Sequence, residues 1–96
     1  MVKAITMKEL SQLKEPSIID VREVGEYNEG HIPGAIHLPL SQIQQQYKQL
    51  DKEQAYFVVC RSGGRSLKAT QFLTRQGYDV TNVEGGMLAY NGPLEN

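Results

Sequence analysis

Ala55-Tyr-Phe-Val-Val59, followed at once by Cys60-Arg-Ser-Gly-Gly-Arg-Ser66, is the stretch on which the reading of this chain turns. The first part is continuous, β-branched and aromatic, as a central parallel strand buried on both faces requires. The second is a glycine loop leading into a helical pattern over 65–76, where Leu67, Ala69, Phe72 and Leu73 mark an apolar stripe and Gly77 stands just past the end. Cys60, the single cysteine, therefore closes a strand and sits beside a helix N-terminus. Backbone N–H groups left open by glycine, the helix terminus, Arg61 and Arg65 all place positive potential there and favour the thiolate.

Magnitudes rank these contributions. Each pKa unit is worth about 1.4 kcal/mol, and an exposed helix terminus supplies only about 0.3–1 kcal/mol, so a large shift has to come from loop amides and arginines. Gly63 and Gly64 are expected to take positive φ so that successive N–H groups converge on one anion, with Ser62 and Ser66 adding hydroxyl donors. Only four residues separate Cys60 from Arg65. Tyrosine-type phosphatases use a loop one residue longer, which here would require Arg at position 66; the shorter bowl suits one terminal sulfur better than a tetrahedral phosphoryl group.

Short apolar runs alternate with amphipathic segments on either side of this stretch. Thr6-Met-Lys-Glu9 matches a capping box, with Leu10 and Leu13 expected on one side of a helix that Pro16 ends. Strands are expected at 17–21, 35–38 and 79–83, with a helical turn over 22–28 and a loop at 30–34. Pro39 cuts the second of these strands, and Ser41-Gln-Ile-Gln44 offers a second capping box ahead of Ile43, Tyr47 and Leu50. Gly85-Gly86 reads as a turn and 87–90 as a short terminal helix. Strands separated by helices imply an α/β domain with a mainly parallel sheet covered on both faces and a ligand site beyond the strands' carboxyl ends.

Bulk composition bounds the rest. Ninety-six residues, 40% apolar and 22% charged, suit one domain over 1–96. A net charge of −1 speaks against nucleic acid or an anionic membrane as partner. The N-terminal residues lack a signal-like apolar core and no run approaches bilayer length, so the expected location is the cytoplasm. No spacing suggests a metal site, and His31 and His37 read as structural residues. No cofactor is implied.

Four motifs in order, Ile19-Asp-Val-Arg22 with Glu26-Tyr27, Gly30-His-Ile-Pro-Gly-Ala35, the Cys60–Ser66 loop, and Glu84-Gly-Gly-Met87, resemble the rhodanese family, specifically its single-domain sulfurtransferases. The family's last motif usually continues to Trp, where this chain has Tyr90. The resemblance implies a five-stranded parallel sheet flanked by helices, and a Cys60 persulfide formed from thiosulfate or another sulfane donor and passed to a thiol, cyanide or a sulfur-relay protein. Arg61 would face the incoming sulfonate, and the amides from Arg61 to Ser66 would hold the persulfide. Arg65 either shares in substrate binding or pairs with Asp20 or Glu26. Arg22 is a second anion-binding candidate or else part of a structural ion pair. Two rival classes use the same features: a thiolate phosphatase or arsenate reductase, and a non-enzymatic binding module. Oligomeric state is not legible.

Overall fold

Residues 2–96 are described by a computed structural model. Five strands form one sheet: β1 (Lys3–Thr6), β2 (Ile18–Asp20), β3 (Ile36–His37), β4 (Ala55–Val59) and β5 (Asp79–Glu84). Their spatial order is β1-β5-β4-β2-β3 and every pairing is parallel. β4 thus lies at the centre, as its unbroken apolar run requires, and Cys60 emerges at its carboxyl end. The strand beyond the four expected from sequence patterns is β1, a largely exposed edge strand.

Alternation along the central strands divides the core in two. Ile19, Val21, Tyr56, Val58, Cys60 and Val80 face one side, where Ala69 and Leu73 of α4 (Gly64–Arg75) and Ile43 of α3 (Ile43–Gln46) cover them. Ile18, Val59 and Val83 face the other side, covered by Met7 and Leu10 of α1 (Met7–Leu10) and by Ile32. Both faces are covered, which is why these strands read as continuous hydrophobic runs rather than alternating ones.

Four local expectations need correction. The Thr6–Glu9 capping box forms, but α1 is a single turn: the Ser11 hydroxyl donates to the Met7 carbonyl at 2.9 Å, the chain leaves the helix well before Pro16, and Leu13 is 45% exposed. Ser41 caps nothing. Its hydroxyl donates to Glu23 at 2.7 Å, a charged acceptor, and so ties the 3-10 turn Leu40–Gln42 to α2 (Val24–Glu29). A carboxylate at the start of α2 was not anticipated as a cap; Glu26 accepts from the Glu23 N–H at 3.1 Å.

The inward stripe of α4 is Ser66, Ala69, Thr70 and Leu73, at i, i+3, i+4 and i+7, while Leu67 is 40% exposed. Two of those four positions are polar, which hid the phase of the helix from a hydrophobic count. Thr70 solves its own burial by donating to the Ser66 carbonyl at 2.7 Å.

Candidate functional site

Cys60 is 1% exposed, yet its sulfur is not sealed in hydrocarbon. Gly63, at φ 119° and ψ −13°, turns its N–H onto Sγ at 3.1 Å. This is the position where the loop needs glycine. Gly64 takes the helical conformation instead and opens α4, so only one of the two expected positive φ angles occurs.

The Ser66 Oγ lies 3.4 Å from Sγ and donates to the Gly63 carbonyl at 3.1 Å. One hydroxyl proton serves two acceptors. With a neutral thiol, S–H donates to Oγ and the hydroxyl proton goes to the carbonyl; with a thiolate, the same proton can turn to sulfur. Burial is the largest influence on the thiol and pushes its pKa up, but the Ser66 hydroxyl and the amides of Ser66, Gly63 and Ser62 together outweigh it and bring the pKa below its ordinary value. The anion-favouring cradle is made of hydrogen bonds rather than of contacting cations.

The rear of the loop is clamped by the turn after β5. The Cys60 carbonyl accepts from the Met87 N–H at 2.8 Å and the Arg61 carbonyl from the Leu88 N–H at 3.0 Å. Gly86 makes this approach at φ 51°, and a Cβ there would stand 2.4 Å from the Cys60 oxygen. The Gly85-Gly86 pair is therefore a close-packing requirement as well as a turn, a role that no local pattern reveals.

Of the three nearby arginines, two are committed elsewhere. Arg65 holds Glu26 through two hydrogen bonds, 2.6 and 2.8 Å, the inward pairing expected as one of its two roles. Arg22 is buried against Asp20: Nε and Nη2 both bond the carboxylate, and Nη2 also donates to the Gly30 carbonyl at 2.8 Å. This is the ion pair named as the alternative to an anion-binding role for Arg22. Arg61 and Ser62 are exposed, and neither side chain has a partner among the described residues.

Both histidines pack on Tyr27 and hydrogen-bond backbone carbonyls, His31 to Tyr27 and His37 to Arg22. Tyr27 is stacked between His31 and His37, with ring centroids 3.7 and 4.1 Å apart, and His31 Nδ1 donates to the Tyr27 carbonyl at 2.9 Å. This block of rings anchors α2, which presents Glu26 to Arg65. No group of side chains among the described residues could hold a metal ion, and none of the described helices is long and apolar enough to cross a membrane.

Glu26 is held at a pKa of about 2 by the Arg65 hydrogen bonds, against the opposing effect of burial and with help from the Glu23 amide. A carboxyl lowered from 4.5 in this way stabilises the fold above pH 4.5, and that contribution disappears as the pH falls through about 2. In urea unfolding, Glu26→Gln is expected to cost about 1 kcal/mol at neutral pH, the small value of a pair one-third exposed to solvent. The gap between variant and parent should stay constant down to pH 4.5 and close towards pH 2; an unchanged gap at low pH would exclude the charge as its cause.

Comparison with known proteins agrees with this geometry. Residues 4–92 match the Rhodanese-like domain family. The chain is 44% identical over 79 residues to YtwF of Bacillus subtilis, provisionally named a sulfurtransferase, covering 82% of this chain and 77% of that protein. It is 35% identical over 95 residues to a sulfurtransferase of Allochromatium vinosum, covering 94% and 89% of the two chains. A crystal structure of a rhodanese-like domain protein from Staphylococcus aureus superposes with a TM-score of 0.91 at 37% identity, covering 98% of this chain and 97% of the other.

Proposed function

Because the chain belongs to the rhodanese-like domain family, we propose that it is a sulfurtransferase that moves a sulfane sulfur from thiosulfate or a persulfide to a thiophilic acceptor through a persulfide on Cys60. The observation that carries this reading is the cradle itself: a lone sulfur at the end of the central strand, facing the Gly63 amide at 3.1 Å and the Ser66 hydroxyl at 3.4 Å. Such donors stabilise negative charge on the nucleophile and on the second sulfur that would follow it.

With thiosulfate, the Cys60 thiolate attacks the outer sulfur, the bond from that sulfur to the sulfonate breaks, and its electron pair leaves with sulfite; the product is Cys60–S–S⁻. Cyanide or a thiolate then attacks the outer sulfur, and the electron pair of the S–S bond returns to Cys60. Two half-reactions of this kind give ping-pong kinetics. Arg61, exposed on the loop, would meet the sulfonate. Arg65 keeps the loop in shape through Glu26, and the amides from Arg61 to Ser66 supply the bowl. No second cysteine exists to release the sulfur as an internal disulfide, so an external acceptor is required.

Intact mass spectrometry tests the proposal. Incubation with excess thiosulfate should add one sulfur atom, which cyanide then removes as thiocyanate. A parallel incubation with an aryl phosphate should release no phosphate. An unmodified mass after thiosulfate and persulfide treatment, or phosphate release without thiocyanate, would overturn it.

A further inference from the structure

We propose that the Ser66 hydroxyl is a catalytic group of the unloading half-reaction, turning from the Gly63 carbonyl to Cys60 Sγ as the S–S bond breaks, and so favouring release of the sulfur over its capture. This assignment rests on the persulfide relay above and gives one residue to one of its two steps.

Geometry is the first ground. Ser66 is fully buried on the first turn of α4, with Oγ 3.4 Å from Sγ and 3.1 Å from the Gly63 carbonyl oxygen. Its single proton can serve either acceptor. The other donor on Sγ, the Gly63 N–H at 3.1 Å, is fixed by the backbone, whereas a hydroxyl rotates. The Gly63 carbonyl also accepts from the Leu67 N–H at 3.1 Å, so it keeps a partner when the hydroxyl turns away. The swing therefore strands no buried acceptor.

The place of the charge in each state is the second ground. In the loaded protein the negative charge lies on the outer sulfur, and Sγ, bonded on both sides, offers the hydroxyl little. When cyanide attacks, its carbon bonds to the outer sulfur, the S–S bond breaks, and the electron pair of that bond returns to Sγ while thiocyanate leaves. Charge then develops 3.4 Å from the Ser66 oxygen, and a donor engaged more strongly as the bond breaks lowers that barrier.

Loading runs the other way. The thiolate is its starting state, and a hydrogen bond to Sγ is given up as the sulfur attacks. The hydroxyl thus raises the fraction of Cys60 that is ionised, yet makes each thiolate a weaker nucleophile. Burial is the largest influence on the Cys60 pKa and raises it; among the groups that lower it, the Ser66 hydroxyl is foremost.

The test is Ser66→Ala, which puts a good helix former on α4 and leaves the Gly63 carbonyl bonded to the Leu67 N–H. Intact mass follows three reactions of parent and variant: alkylation by iodoacetamide across pH, loading from thiosulfate, and unloading of the loaded protein by cyanide. The last two are run at one pH above both alkylation midpoints, where every Cys60 is thiolate. The alkylation midpoint should move to higher pH. Loading should be unchanged or up to about threefold faster while unloading slows about threefold or more, threefold being what a sensitivity of about 0.4–0.5 gives for a tenfold change in thiol acidity. A loop merely loosened by the substitution would slow both reactions. Slowing of both by the same factor, or an alkylation midpoint that stays in place, overturns the assignment while the relay stands. No sulfur added to the parent overturns the relay, and the assignment with it.

Discussion

Cys60→Ser is expected to end sulfur transfer, lowering the thiosulfate-to-cyanide rate by about 10⁴-fold or more, the loss typical of removing a covalent nucleophile. A serine hydroxyl in the same cradle has nothing like the acidity or polarisability of a thiol, and it cannot form the S–S bond that carries the cargo. The substitution nonetheless keeps the local packing. The Gly63 N–H and the Ser66 hydroxyl, now set around Sγ, are both able to hydrogen-bond an oxygen. Circular dichroism and the urea midpoint should therefore stay near those of the parent, so that lost activity reports chemistry. The mass after thiosulfate treatment should be that of the untreated variant. Transfer retained at more than a tenth of the parent rate (about 1.4 kcal/mol of barrier) would remove Cys60 from the mechanism, and a biological role that survives the substitution intact would favour a binding module.

The largest effect on stability is expected at Asp20, which is fully buried and holds Arg22 through four hydrogen bonds, one to its backbone N–H and three to its side chain. Asp20→Ala leaves a guanidinium that is 9% exposed with no anion beside it. Removing one member of such a pair costs about 3–5 kcal/mol, whereas replacing both by well-packed apolar residues is often neutral. A domain of this length has a total stability of about 5–14 kcal/mol, so the single variant loses a large share of it. Asp20→Leu combined with Arg22→Met should recover much of the loss in urea unfolding. A cost for Asp20→Ala below about 1 kcal/mol would mean that Arg22 finds another partner or reaches water. The effect should extend to the 30–31 loop, because Arg22 also bonds the Gly30 carbonyl and His31 pairs through its backbone with Glu95.

These two residues show how differently the sequence discloses a site. The place of Cys60 is legible because its determinants are contiguous: a β-branched run that has to be a buried strand, a glycine loop, and a helix that begins at once. The roles of Arg22 and Arg65 are not, since each depends on which carboxylate the fold brings alongside. Asp20 is two residues from Arg22, but Glu26 lies 39 residues from Arg65. Strand β1 escaped for a related reason. Lys3–Thr6 is an edge with mostly exposed side chains, and it is recognisable as a strand only through its parallel pairing with β5.

Capping shows the same boundary within a single motif. Thr6 and Glu9 form their box because both partners are local and nothing stronger competes. Ser41 has the same motif, yet it lies inside the 3-10 turn Leu40–Gln42 rather than ahead of a helix, and its hydroxyl donates to Glu23, 18 residues away.

By itself, then, the amino-acid order determined what short-range physics governs: the alternation of buried strands and helices, a parallel sheet, and a thiol at the end of its central strand next to a φ-positive glycine. Tertiary structure alone decided what depends on distant partners: Arg65 withdrawn into an ion pair with Glu26, Ser66 and Thr70 turned inward on α4, and Gly86 pressed against the Cys60 carbonyl. The physical reason is range. Backbone conformation and hydrophobic period act over a few residues, whereas the charge and hydrogen bonding around a sulfur are set by whichever groups the chain folds back to place there.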